Sequence, residues 1–150
     1  MKDSELVLQE KETSALTSYN GSVARMFEGE NILEYGFDLP ETATATVEKD
    51  GALVKVSDEG ASLVAVYFSF EGARKYTPAQ YISNVIVPKV SAVTSKGTVT
   101  TGSHEWDVVE SEWTVWHVAK STDGKWLIVV ESKKADSEKV NGILETFVTE

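Results

Sequence analysis

The residues with the most chemical potential are two histidines, His104 and His117, in a 150-residue chain that has no cysteine. Set on neighbouring strands with Glu105, Asp107 or Glu112 beside them, they would offer the nitrogen and carboxylate ligands that suit zinc or manganese. No HExxH or comparable spacing joins them, and a histidine beside tryptophans is more often a packed or surface ring. The absence of cysteine removes thiol nucleophiles, thiolate metal sites and disulfides. No G-x-S-x-G marks a nucleophilic serine, and neither a G-x-G-x-x-G nor a phosphate loop is present. Glu105 and Asp107 share a strand face, but general acid–base work needs two carboxylates across a substrate with separated pKa values. Ser57-Asp58-Glu59-Gly60 and Thr122-Asp123-Gly124 miss the EF-hand spacing and read as solvated turns. Asn20-Gly21-Ser22 fits the N-glycosylation sequon and equally well a turn. The expectation is a protein without catalytic residues and without a cofactor.

The aromatic residues are the more informative constellation. Trp106, Trp113, Trp116 and Trp126 crowd onto what should be adjacent strands. Alternation sends Trp113 and Trp116 to opposite faces, so the four cannot all line one pocket. Most should anchor layers against the sheet. One or two left exposed beside Tyr67 or Tyr76 would form a protein-binding or small-ligand surface.

Composition narrows the partners. The chain has 14 basic and 24 acidic residues, a formal charge of −10 spread along its length. Such a field repels phosphate backbones and anionic lipid, so nucleic acid is not an expected partner. No apolar run approaches the ~18 residues that would suggest a membrane span, so no direct membrane insertion is expected. Met1 to Ser18 is polar and lacks the apolar stretch of a secretory signal; it reads as a short docked element or, better, a tether with a partly ordered end, with residues 19–150 a single globular domain. Either the protein is cytoplasmic or the sequence is a mature or trimmed form, and a monomer is expected.

The elements that would position these residues are mostly strands. Val23–Phe27 and Ile32–Leu39 flank a turn at Glu28–Asn31, and Ala43–Glu48 and Ala52–Ser57 flank Lys49-Asp50-Gly51, a strong hairpin signal. Ala43, Ala45 and Val47 should form a buried face. Leu63–Phe70 and Trp126–Val130 are apolar on both faces, which places them centrally in a sheet covered on both sides. Trp113–Ala119 is similar and joins Trp126 through the turn Lys120–Lys125. Thr98–Thr101 and Glu105–Val109 read as a hairpin around Gly102-Ser103, whereas Ser91–Gly97 reads as a mobile loop.

Two helices supply the covering layers. Thr77-Pro78-Ala79-Gln80 is a capping box with proline at the first helical position, followed by Tyr81, Ile82, Val85 and Ile86 at helical spacing before Pro88. After Asp136-Ser137-Glu138, an apolar stripe runs through Val140, Ile143, Leu144 and Phe147. Gly142 inside that stripe suggests close packing on the sheet.

This order of elements resembles the PsbP-like family. The matching features are Gly36-Phe37-Asp38-Leu39-Pro40 opening the domain, Thr77-Pro78 with Tyr81-Ile82 opening the first helix, Gly124-Lys125-Trp126 before the last long strand, and the closing Ile143-Leu144-Glu145-Thr146-Phe147. The resemblance covers roughly residues 32–147. It implies an α+β fold, an α-β-α sandwich around a mostly antiparallel sheet. It also implies a non-catalytic, extracytoplasmic module, of the kind found as the soluble domain of bacterial lipoproteins, that docks on a larger protein assembly. The alternative is a carrier of a small apolar or aromatic ligand in a tryptophan-lined pocket.

Overall fold

The structure is a computed structural model that describes residues 16–90 and 92–149. Among the described residues, ten strands form two antiparallel sheets. The smaller sheet pairs β1 (Leu16–Met26) and β10 (Val148–Thr149) on either side of β2 (Glu30–Pro40). The larger has the order β3-β4-β5-β9-β8-β7-β6. Its members are β3 (Ala43–Glu48), β4 (Leu53–Asp58), β5 (Ala61–Ser69), β6 (Val93–Thr101), β7 (His104–Ser111), β8 (Thr114–Lys120) and β9 (Leu127–Lys133). The described residues also hold three α-helices: α1 (Phe70–Lys75), α2 (Pro78–Tyr81) and α3 (Ser137–Thr146). The α+β class and the antiparallel character expected from the sequence are both present.

Alternation along the central strands makes two apolar faces, as their sequences require. Ile128 and Val130 on β9, Trp106 on β7 and Val64, Val66 and Phe68 on β5 point to the main core. There they meet Val140, Ile143 and Leu144 of α3 and the inner face of the β1–β2 hairpin, including Leu33, Tyr35 and Phe37. Aromatic rings join the layers: Tyr35 stacks on Phe68 at 4.2 Å, and Phe37 stacks on Phe147 at 5.3 Å between centroids. Asp58 of β4 pairs with Lys139 of α3 at 2.8 Å and accepts from Thr42, and these hydrogen bonds hold its carboxyl below the usual range.

The opposite face carries Leu127, Val129, Val118 and Val109, which pack under Ala73 of α1 and Ile82 and Ile86 just beyond α2. The capping box is formed: Thr77 Oγ1 accepts from the Gln80 N–H, and the Gln80 side chain accepts from the Thr77 N–H. Past Tyr81 the helix widens into a π turn, Ile82–Ile86, then tightens into a 3₁₀ turn, Val87–Lys89. Pro88 lacks the N–H that would continue α-helical bonding, which accounts for the irregular end.

Several expectations need correction. Leu16, Thr17 and Ser18, the end of the N-terminal segment, belong to β1 and pair with Pro40, Leu39 and Asp38, so the sheet begins ahead of residue 19; residues 1–15 of that segment lie outside the described residues. Asn20-Gly21 is no turn but mid-strand, facing Gly36. Val93–Gly97, read as loop, is the first half of β6, an edge strand exposed along nearly its whole length. It shows no burial pattern because it has one paired neighbour and little above or below it. Val47 on the other edge is 48% exposed, although Ala43 and Ala45 pack on the core. The helix α1 was hidden in an apolar run: Ser69 Oγ caps it by accepting from the Gly72 N–H. Arg25 at the hairpin tip pairs with Glu71 of α1, and Arg74 lies 4.0 Å above the Phe27 ring. Gly142 faces open space instead of the sheet. Gly51 is required, with φ +96° in the β3–β4 turn and the Ser22 backbone where a Cβ would stand.

Candidate functional site

The α2 segment is short, so it covers only part of the second sheet face. Between it and strands β5, β9 and β8 a groove of about 700 Å³ remains. Its floor is Tyr67, Val129, Glu131 and Trp116, and its helical wall is Tyr81, Val85 and Ile86. Register explains the floor. Tyr67 pairs with Val129, and Trp116 with Glu131, so three adjacent strands present these side chains on one face. The groove lies within the 300–1,000 Å³ range of small-molecule sites, and its walls are mainly apolar and aromatic.

The floor continues into a smaller hollow of about 220 Å³ that shares Tyr67 and Glu131 and runs to Thr114. Tyr76 stands behind Tyr81, edge to face at 6.0 Å. Partial burial raises the pKa of both Tyr67 and Tyr81; Glu131 adds to the shift at Tyr67, and the other two phenols add to it at Tyr81. Both phenols therefore stay protonated at neutral pH and can donate hydrogen bonds into the groove. Lys49, from the β3–β4 turn, and Lys89, from the end of the α2 segment, also line it.

The tryptophans divide among three environments. Trp106 and Trp126 lie in the main core with at most 2% of their surface exposed, so they hold layers together and have nothing to offer a partner. Trp116 is half-buried on the groove floor. Trp113 is 73% exposed at the β7–β8 turn, just outside β8. A single pocket walled by tryptophans is therefore not what the strands build; one tryptophan and two tyrosines share the groove.

The histidines do not assemble a metal site with the carboxylates considered above. His104 and His117 lie on the core face of β7 and β8, with the Trp106 indole against both, at 5.5 and 6.2 Å between centroids. Glu105 and Asp107 leave β7 on the opposite face, and Glu112 is exposed at the turn. Among the described residues no group of three His, Asp or Glu side chains is arranged to hold a metal. His104 is a structural ring: Nε2 meets Thr149 Oγ1 at 3.2 Å and Nδ1 meets Ser103 Oγ at 3.2 Å, which fixes the end of the chain on the sheet. Burial lowers its pKa. Burial pushes that of His117 down to about 4, and its Nδ1 has no hydrogen-bond partner among the described residues.

Sequence reasoning placed Tyr67, Tyr76 and Trp116 in a candidate surface but counted Tyr81 as helix core, and it missed Lys49, Lys89 and Glu131. A usable signal was present: tyrosine in an otherwise aliphatic helix stripe carries a polar tip that a dry core would leave unpaired.

The fold and groove define a protein of the α+β class with mostly antiparallel sheets. No protein-family model matches the chain, and no curated protein matches it.

Proposed function

We propose that the protein is a non-catalytic, monomeric binding module that holds a small apolar or aromatic ligand in the groove between α2 and the seven-stranded sheet. One observation carries this reading: a drug-sized groove with aromatic walls lies where a fully packed layer would otherwise be. Phenol, indole and aliphatic side chains there bind by apolar burial and ring contact, with few fixed polar groups to orient a reaction. PsbP-like kinship, with the sandwich it implies and an extracytoplasmic, lipoprotein-like setting, is part of the same proposal. Its support is the element order and the helical layers on both sheet faces.

The test is titration with the neutral fluorophore N-phenyl-1-naphthylamine. Saturable binding that weakens about tenfold or more in both Trp116→Ala and Tyr67→Ala, and stays unchanged in Trp113→Ala, is the expected result. Binding insensitive to the groove variants would overturn the reading.

A second reading, docking on a larger protein assembly, rests on Trp113. A tryptophan with nearly three-quarters of its surface in water is the residue type most enriched at binding hot spots. Loss of a co-purifying protein partner on Trp113→Ala, with probe binding intact, would favour it over the groove.

A further inference from the structure

Building on the groove reading above, we propose that the ligand is an amphipathic anion, a small molecule with an apolar or aromatic body and one acidic group caught by Lys49 and Lys89. The charge of the groove differs from that of the chain around it. Overall the protein carries −10, yet the groove is lined by two lysines and one glutamate. The lysines come from two separate walls, the β3–β4 turn and the end of the α2 segment, and among the described residues neither has an ion-pair partner. Lys75, Lys96, Lys120, Lys125 and Lys133 are likewise without an ion pair among the described residues, so what sets Lys49 and Lys89 apart is their place on the groove walls.

Lys49 is also an unusual residue for its backbone. It sits at φ 55°, the left-handed region, where Asn, Asp or Gly would serve a hairpin turn at lower cost. Glu28 and Glu59 hold the same conformation in turns away from the groove, so it is the place of Lys49 on the groove wall, and not its backbone, that bears on the ligand. Glu131 on the floor repels an anion, which steers the acidic group towards the lysines and leaves the apolar body against Tyr67, Tyr81 and Trp116.

Two fluorophores with the same aromatic body separate charge from shape: N-phenyl-1-naphthylamine is neutral, and 8-anilinonaphthalene-1-sulfonate adds a sulfonate. With the folded protein at pH 7.5 and low salt, the sulfonate probe is expected to bind about tenfold tighter than the neutral one, the scale of one charge-assisted contact. That preference, read as the ratio of the two affinities within one protein, should vanish in the double variant Lys49→Gln/Lys89→Gln. Equal affinity for the two probes, or a sulfonate preference that survives the double variant, overturns the inference and leaves the groove reading standing. Failure of both probes to bind overturns the two together.

Discussion

Replacing His117 with leucine should flatten the acid limb of the stability profile. The imidazole lies in the main-core face of β8, 7% exposed, against the Trp106 ring. Burial is the dominant cause that takes its pKa from 6.5 to about 4, and Glu110 offsets this only in part. In the unfolded chain the ring titrates near its ordinary value, so between those two pH values only the unfolded state takes up the proton. The stability this contributes is complete above pH 6.5 and is lost progressively as the pH falls towards the folded value. Each pH unit in that window costs about 1.4 kcal/mol, so a step down to pH 5 removes about 2 kcal/mol. For a domain whose whole stability is roughly 5–15 kcal/mol this is a readable fraction. His104 shifts in the same direction, and comparison with His117→Leu cancels its contribution and that of the carboxylates. Urea unfolding at pH 7 and pH 5 supplies the measurement. Wild type should lose about 2 kcal/mol more than the variant across that step. Parallel losses, or a ring that titrates near 6.5 in the folded protein by NMR, would refute the reasoning.

Three further outcomes are expected. Gly142→Ala should stabilise the protein by about 0.5–1 kcal/mol in chemical denaturation, because the site is helical, exposed and open to a methyl group. Thr77→Ala removes the side-chain half of the capping box and should cost about 1 kcal/mol, a loss that would also loosen the helical wall of the groove. Phe147→Ala should cost about 3–5 kcal/mol by the same measurement, since the ring is fully buried against Phe37, Phe68 and Trp106.

What could be read from the sequence was whatever local chemistry decides. The capping box at Thr77, the Lys49–Gly51 turn and the two-faced strand β9 follow from a few adjacent residues, whereas the second face of β5, expected to be covered, is open at Tyr67, 36% exposed. What failed was decided by neighbours far along the chain. Val93–Gly97 looks like a loop because an edge strand exposed on its surfaces carries no alternation, and only pairing with β7 reveals it. Leu16–Ser18 joins β1 through partners 20 to 24 residues away. Phe70 continues the apolar run of β5, which masks the start of α1.

The candidate site divides in the same way. Strand alternation correctly denies the four tryptophans a common face, but Trp113 lies beyond the strand in the turn, where alternation no longer applies. The groove is missing from the sequence altogether, because it is the space left by a short helix seated on a wider sheet. Tyr81, Lys49 and Glu131 converge there from a helix, a turn and a strand that are distant in the chain.

The most direct measurement of the central claim is amide chemical-shift mapping of the isotope-labelled protein titrated with N-phenyl-1-naphthylamine. Shifts concentrated at Tyr67, Tyr81, Val85, Trp116 and Val129 are expected, with Trp113 and the outer face of the β1–β2 hairpin unmoved. Shifts centred on Trp113, or scattered without a focus between α2 and the sheet, would contradict the groove as the site of recognition.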